Sequence, residues 1–192
     1  MSEGDRPVGD PATRARLLDA AIHVASTQGL DRVTYRSVAA YAGLSHSLVR
    51  FYFGSGEAMV AAALERAARL DAEQSHLCAD DLDAWSQDFI AVITTERQLL
   101  QYDYLLRAMR GGVPVERVVA IYDFYLAQIS ETLRNVSIDD PDGSVADLVL
   151  AVIDGVILQH AVYDSPERTQ AVVDRLRGVL RMLQGSDGEA RG

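Results

Sequence analysis

The chain contains no lysine, and all eighteen basic side chains among its 192 residues are arginines. Its one cysteine, Cys78, cannot form a disulfide within a single chain, which suits a reducing compartment. The longest unbroken apolar run, residues 58–64, is far shorter than the roughly 20 residues that a transmembrane helix needs. Residues 1–11 are polar and acidic and do not have the pattern of a secretory signal. We therefore expect a cytoplasmic protein with no membrane partner.

Catalytic and metal-binding patterns are also missing from the sequence. The four histidines, His23, His46, His76 and His160, are far apart, and neither an HxxxH or HExxH motif nor a pair of cysteines occurs. The sequence has no strand-borne nucleophile elbow and no glycine-rich phosphate loop. We therefore expect no metal, no cofactor and no enzymatic activity.

Alternating runs of β-branched residues bounded by turns do not occur, so a sheet is not expected. Apolar residues make up 48% of the chain and recur at helical spacing in most segments. The pattern predicts an all-α protein. Besides two short helices discussed below, it predicts helices over residues 11–27, 55–73, 82–96, 97–110, 115–135, 144–163 and 166–183.

The net charge of −10 is unevenly distributed along the chain. Residues 1–60 hold six arginines and six acidic residues, whereas residues 61–192 hold twelve arginines and twenty-two acidic residues. Within residues 11–54, five arginines accompany two aspartates, which gives this stretch a charge of +3. Affinity for phosphate depends on charge within about one Debye length, roughly 8–10 Å, rather than on the total. An acidic chain can therefore still bind DNA through its N-terminal part.

Residues 34–57, TYRSVAAYAGLSHSLVRFYFGSGE, predict two short helices joined by a tight turn and followed by the start of a longer helix. Gly43 can adopt the positive φ that ends a helix, and Leu44 can fill the space between the two helices. Ser45 is a favourable N-cap for the second helix, and Val49 begins its buried face. This is the layout of a helix-turn-helix, whose second helix enters a DNA major groove.

The turn Ala-Gly-Leu-Ser, the aromatic residues 51–53 and the following Gly-Ser-x-Glu resemble the recurring pattern of TetR-family regulators. The resemblance is specific over residues 13–60. It implies an N-terminal three-helix bundle with a helix-turn-helix, followed by a larger helical domain that binds an effector and dimerises. The expected boundaries are a flexible tail over 1–11, the DNA-binding domain over 12–54, the effector-binding and dimerisation domain over 55–184, and a frayed tail over 185–192.

The resemblance also implies which side chains contact phosphates and base edges: Thr34, Tyr35, Arg36, Ser45, His46, Ser47, Arg50 and Tyr52. His46 and Gly56 stand where the family often has lysine, and Arg50 stands where it usually has an aromatic residue. Arg50 can replace a lost phosphate contact or read a guanine, the alternative being a surface ion pair. We expect Phe51 and Phe53 in the core rather than at DNA.

The segment after residue 81 is rich in aromatic side chains. A pocket between its helices would draw on these residues, with tyrosine hydroxyls and a histidine as the few polar groups that orient a ligand. The candidate ligand-binding residues are Trp85, Phe89, Tyr102, Met109, Tyr122, Tyr125 and His160. The alternative is ordinary core packing for the aromatics and a hydrogen-bonded helix interface for His160.

The last two predicted helices, 144–163 and 166–183, have more apolar surface than one small bundle needs. As in the family it resembles, they would pair with their copies in a homodimer, so the DNA operator should be a palindrome. The implied function is a transcriptional repressor that leaves its operator when a small apolar or aromatic ligand binds. The alternatives are an activator, a regulator that responds to a protein partner, and a helical carrier or enzyme.

Overall fold

The computed structural model describes residues 9–85, 89–93 and 96–189, apart from the side chains of Glu96 and residues 185–189. This part of the chain contains nine α-helices, one turn of 3₁₀ helix at Leu30–Arg32, and no strand. The all-α prediction is confirmed. The helices are α1 (Pro11–Gln28), α2 (Tyr35–Ala42), α3 (His46–Phe53), α4 (Gly56–Gln74), α5 (Phe89–Ile93), α6 (Glu96–Met109), α7 (Val115–Asn135), α8 (Ser144–Tyr163) and α9 (Pro166–Glu189).

The chain divides into two compact units. The first comprises the chain up to Ala67 together with Leu99–Val115, and the second comprises Ala68–Gln98 together with the chain from Glu116 onward. The expected DNA-binding domain, residues 12–54, lies within the first unit, which also includes the first part of α4. Ser55 caps the start of α4 by accepting a hydrogen bond from the Ala58 N–H at 3.0 Å.

The first unit is built on α1, whose apolar residues recur at the spacing that places them on one helical face. Asp10 caps this helix by accepting hydrogen bonds from the N–H groups of Ala12 and Thr13 at 3.2 and 3.0 Å. A further hydrogen bond from the Thr13 hydroxyl is the main reason that the pKa of the Asp10 carboxyl is lowered. The predicted tail over 1–11 falls mostly outside the described residues, and Pro11 is already helical.

The same unit confirms the predicted end of α1. Gly29 has a φ of 89° and ends the helix, which any other L-residue would do only with strain. Leu30 and Val33 then fold back and are buried at 7% and 9% exposure. The buried faces of α2, α3 and α4 pack with α1 around Val38, Val49 and Met59, and these three side chains are fully buried at 0% exposure.

The core of the second unit is centred on Trp85 and on one face each of α7, α8 and α9. Thr132 lies at 1% exposure in this core and joins α7 to the segment that follows α4. Its Oγ1 accepts a hydrogen bond from the Ala79 N–H and donates one to the Leu77 carbonyl, both at 2.8 Å. The Ala79 N–H and the Leu77 carbonyl are backbone groups outside the helices, and these two bonds give them hydrogen-bond partners.

Two helix predictions in this unit are corrected by the structure. Residues 82–85 form a turn rather than the start of a helix over 82–96, and the Asp81 carboxylate accepts hydrogen bonds from the N–H groups of Asp83 and Ala84 at 2.8 and 2.6 Å across this turn. Residues 86–88 and 94–95 of the predicted helix lie outside the described residues. Helix α9 continues to Glu189, so residues 185–189 are not frayed, and residues 190–192 lie outside the described part. A single glycine costs only about 1 kcal/mol inside a helix and does not by itself end one.

The Thr132→Val substitution tests the role of the buried hydroxyl. Valine has nearly the same shape but leaves the Ala79 N–H and the Leu77 carbonyl without partners, so we expect a loss of roughly 2–4 kcal/mol in free energy of unfolding. Urea denaturation at fixed protein concentration measures this loss. Thr132→Ser, which keeps both bonds and removes one methyl group, should cost about 1 kcal/mol. Equal losses for the two variants would contradict the hydrogen-bond account.

Candidate nucleic-acid interface

Helix α2 begins with two reciprocal hydrogen bonds between Thr34 and Ser37. The Thr34 hydroxyl accepts from the Ser37 N–H at 3.1 Å, and the Ser37 hydroxyl accepts from the Thr34 N–H at 2.9 Å. The Ser37 hydroxyl also donates to the carbonyl of Arg32 at 2.7 Å. This capping box fixes the start of α2 against the preceding 3₁₀ turn and confirms that Thr34 caps the helix.

Gly43 makes the turn between α2 and α3. It has a φ of 64° and a ψ of 36°, which is the left-handed conformation that favours glycine. Its N–H donates to the carbonyls of Ala39 and Ala40, and the Leu44 N–H donates to the Ala39 carbonyl at 2.9 Å. A Cβ atom at Gly43 would also lie 3.3 Å from a guanidinium nitrogen of Arg16. The geometry of the predicted turn is therefore present.

Helix α3 is capped by Ser45, whose hydroxyl accepts from the Leu48 N–H at 3.3 Å. Val49 and Phe53 are buried, and at 3.6 residues per turn the opposite side of the helix carries Ser47 and Phe51, with Arg50 on the flank between the two sides. All three of those side chains are exposed. Gly54, with a φ of 72°, then ends the helix. The structure thus presents one polar face of α3 to solvent, interrupted by the ring of Phe51.

The predicted DNA-contacting residues all lie in this first unit. Thr34, Arg36, Ser45, His46, Ser47 and Arg50 are exposed, and Tyr35 and Tyr52 are half-buried. The Tyr52 hydroxyl donates a hydrogen bond to the Asp10 carbonyl at 3.2 Å, so it is already engaged within the protein. The prediction that Phe53 belongs to the core agrees with its 9% exposure, whereas the same prediction for Phe51 is wrong, since Phe51 is 55% exposed.

The two aspartates within residues 11–54 form ion pairs with arginines from outside that stretch. Asp19 binds Arg66 of α4 and Asp31 binds Arg107 of α6, each with a nitrogen–oxygen distance of 2.6 Å. The hydrogen bond and charge of Arg107 hold the pKa of the Asp31 carboxyl below its ordinary value. The arginines of the stretch are left without carboxylate partners within the described part of the chain; they are Arg14, Arg16, Arg32, Arg36 and Arg50.

Four of the residues that shape this surface were missed at the sequence level. Asp10 caps α1, and Ser37 completes the capping box that Thr34 begins at α2; the Asp-Pro start of α1 was a signal that could have identified Asp10. Arg66 and Arg107 neutralise the two aspartates from positions 47 and 76 residues away in sequence. No sequence spacing indicates such distant partners, because tertiary packing alone brings them together.

The predicted ligand-binding residues do not form a single group. Tyr102 and Met109 belong to the first unit, and Met109 is 73% exposed, which contradicts its place in a pocket. Of the two neighbouring tyrosines on α6, it is Tyr104 that is buried. The remaining candidates, Trp85, Phe89, Tyr122, Tyr125 and His160, lie in the second unit.

Trp85 and Phe89 do meet in the second unit, where they line a cavity of about 10 Å³ with side chains of α8 and α9. A volume of this size holds about one water molecule and is far smaller than the roughly 300 Å³ of a typical ligand pocket. The indole N–H of Trp85 is buried and has no hydrogen-bond partner in the described part of the chain. Tyr122 and Tyr125 lie half-buried against the same core.

His160 has a structural partner that explains its burial. Its Nδ1 lies 2.8 Å from the Thr169 hydroxyl and joins α8 to α9, with His160 at 8% exposure and Thr169 at 4%. The alternative of a hydrogen-bonded histidine in a helix interface therefore describes this contact, and a ligand-binding role for His160 stays a prediction. It does border a second cavity of about 10 Å³ that also includes Tyr163 and Arg168.

Tyr122 carries the other polar group of this region. Its hydroxyl donates to an Asp154 carboxylate oxygen at 2.9 Å, between α7 and α8. Burial, followed by the negative charge of Asp154 and this hydrogen bond, raises the pKa of Tyr122 well above its ordinary value. The phenol therefore stays protonated at every physiological pH and acts as a donor.

Metal and thiol chemistry find little support in this structure. No group of three or more metal-ligating side chains is found within the described residues. Cys78 is exposed rather than buried as expected, and desolvation is the main cause that raises the pKa of its thiol. A thiol with a raised pKa is a poor nucleophile at neutral pH.

Comparisons with known proteins agree with this geometry. The sequence profile of bacterial regulatory proteins of the tetR family matches residues 17–63. The HTH-type transcriptional regulator BetI of Brucella suis biovar 1 (strain 1330) is 24% identical over 181 residues, which cover 85% of this chain and 87% of BetI. Both matches include the helix-turn-helix described above.

Solved structures extend the similarity to the whole chain. A TetR-family member from Streptomyces coelicolor A3 superposes with a TM-score of 0.66 at 26% identity, covering 90% of this chain and 98% of that one. The multidrug-binding protein EbrR in complex with ethidium superposes with a TM-score of 0.61 at 26% identity, covering 87% of this chain and 97% of EbrR.

Proposed function

We propose that this chain, which belongs to the TetR family of DNA-binding transcriptional regulators, is a cytoplasmic repressor that a small apolar or aromatic ligand releases from a palindromic operator. Regulators of this family are not enzymes. The observation that carries the proposal is the set of arginines in residues 11–54 without carboxylate partners in the described part of the chain, beside a capped and exposed α3. Each DNA phosphate that an arginine neutralises releases a counterion, which favours binding.

The two aspartates of the same stretch strengthen this argument. Arg66 pairs with Asp19, and Arg107 pairs with Asp31 as well as with Asp103 of its own helix. Asp19 and Asp31 therefore repel phosphate with less than their full charge. Such partly exposed ion pairs add little to stability, typically about 0–1 kcal/mol. Their effect on the charge of the neighbouring surface is more important than their effect on stability.

Arg50→Ala should weaken DNA binding by about 1–3 kcal/mol, the range for loss of a base or phosphate contact. The measurement is fluorescence anisotropy on a duplex selected by the full chain from random-sequence DNA, at several salt concentrations. A slope of log affinity against log salt that is shallower by about one identifies a phosphate contact, whereas an unchanged slope with relaxed sequence preference identifies guanine reading.

Arg134→Ala is the matched control, because Arg134 is an exposed arginine of α7 that pairs with Glu131. Its binding should equal that of the unsubstituted chain. Full affinity and an unchanged salt slope in Arg50→Ala would rule out a DNA contact for Arg50.

Helix α8 supports the proposed homodimer. Its 20 residues are long and apolar enough to cross a membrane by length and composition, with a mean hydropathy of 1.8, but only 33% of that apolar stretch is buried. The exposed or half-exposed residues recur at spacings of three and four along one face: Leu148, Ala151, Gly155, Leu158 and Val162. A stripe with this period is typical of a helix that packs on another helix.

Helix α9 carries a similar stripe. Ala171, Arg175, Gly178 and Met182 lie on one face at spacings of four and three, and they border an open groove of about 310 Å³. A Cβ atom added at Gly178 or at Gly155 of α8 would meet no other group within 4 Å, so both stripes are open to a partner. We propose that a second copy of this chain covers them, forming a four-helix interface around a two-fold axis.

Leu158→Glu should disrupt this interface, because it places a charge in the centre of the α8 stripe, where Leu158 is 47% exposed. Sedimentation equilibrium at micromolar concentration should give a dimer for the unsubstituted chain and a monomer for the variant. Val119→Glu on α7 is the matched control, because Val119 is exposed to nearly the same extent, 49%, outside both stripes. A monomeric unsubstituted chain, or a dimeric Leu158→Glu variant, would contradict the proposed interface.

Ligand release is proposed from the aromatic lining of the second unit, where the cavity of about 10 Å³ beside Trp85 and Phe89 must widen to admit a ligand. Trp85 and Phe89 meet at one small cavity, which is otherwise lined by apolar side chains of α8 and α9. EbrR, which shares the fold, binds ethidium in its own structure. The dimer would exist in one form that fits DNA and one that does not. A ligand that binds the second form more tightly would shift the equilibrium towards it, by an amount set by its difference in affinity for the two forms. Helix α4, which is continuous between residues of both units, is the proposed lever.

Ethidium provides a probe for this proposal. Calorimetry of the DNA-free chain should detect binding, and Phe89→Leu should weaken it by removing one aromatic face. Ethidium should also lower the affinity of the unsubstituted chain for its selected duplex more strongly than that of Phe89→Leu. Since ethidium also binds DNA directly, equal loss in both proteins would show an effect on DNA alone and would contradict release through this cavity.

A further inference from the structure

Phe51 is an exposed aromatic residue on a face of α3 that is otherwise polar. Its side chain is 55% exposed, although phenylalanine is normally buried. It follows Ser47 by one helical turn and is adjacent to Arg50, so it lies on the side of α3 opposite the buried Val49 and Phe53. Any group that meets Ser47 and Arg50 from solvent therefore also approaches the ring of Phe51.

The ring of Phe51 is held by its neighbour. Tyr52 contacts it edge-on, with ring centroids 5.5 Å apart and an interplanar angle of 85°. Tyr52 is itself fixed at the start of α1, since its hydroxyl donates to the Asp10 carbonyl at 3.2 Å. A Cβ atom at Gly9 would lie only 2.4 Å from the Tyr52 ring, so the chain passes close against that ring. The exposed phenyl group therefore rests on an anchored neighbour and loses little conformational freedom on binding.

We propose that Phe51 reads thymine by packing on its 5-methyl group in the major groove. This inference rests on the proposed binding of α3 to DNA. The phosphates and most base edges of the groove offer hydrogen-bonding groups, which a phenyl ring cannot use. The thymine methyl is the apolar group of the major groove, and burying it against Phe51 removes apolar surface of both partners from water. Arg50 and Phe51 would then read different bases from adjacent positions of α3.

Replacement of thymine by deoxyuridine tests the assignment, because it removes only the methyl group and leaves base pairing intact. The probe is the duplex that the full chain selects from random-sequence DNA, with thymines replaced one position at a time in one half-site. At one position we expect the affinity of the unsubstituted chain to fall about fourfold, the factor that one buried methyl group contributes. Phe51→Ala should bind the thymine and deoxyuridine duplexes at that position equally well.

Phe51→Leu is the matched variant, because it keeps an apolar side chain and should retain part of the preference for thymine. Circular dichroism should show unchanged folding for both variants, since the side chain is largely exposed. If deoxyuridine has no effect at any position, or the same effect in Phe51→Ala, then the assignment of Phe51 is wrong while DNA binding stands. If the chain selects no duplex, the proposed binding of α3 to DNA fails as well.

Discussion

The left-handed turn at Gly43 is the constraint on which the DNA-binding surface depends. Its φ of 64° lets the N–H groups of Gly43 and Leu44 close the end of α2 onto the carbonyls of Ala39 and Ala40. The chain then enters α3 at a fixed angle, with Ser45 capping the new helix. Because both helices are only eight residues long, neither would be stable alone, and the turn and the caps determine their orientation.

The charge that matters at the DNA-binding surface is the charge of nearby side chains rather than the net charge of the chain. The formal charge of −10 describes the whole chain, whereas the surface around α2 and α3 holds arginines without carboxylate partners in the described residues. Arg66 and Arg107 offset part of the negative charge of this surface, because each pairs with one of its aspartates, although Arg107 also pairs with Asp103. Arg107 does so from α6, which follows the predicted DNA-binding domain by more than forty residues but packs within the same unit. The electrostatic surface therefore includes residues outside the helix-turn-helix.

Apolar residues that a single chain leaves exposed indicate where a partner binds, as charges without partners do. Leu148, Leu158 and Val162 on α8, and Met182 on α9, are all exposed. An apolar stripe of this length costs free energy in water, and a second copy would remove the cost. Phe51 is a smaller example on α3, where the proposed partner is a thymine methyl group. The proposed dimer and the proposed base contact thus rest on one physical principle applied to two surfaces.

The sequence by itself determined the helices, the turn and the caps, because these depend on residues within a few positions of one another. Gly43, Ser45, Thr34 and the bounds of α7 and α8 are examples that the structure confirms. Tertiary structure decided what depends on distant residues, such as the pairing of Asp31 with Arg107, the bond between His160 and Thr169, and the exposure of Met109. Helical period places a side chain on a face, but only packing decides whether another element covers that face.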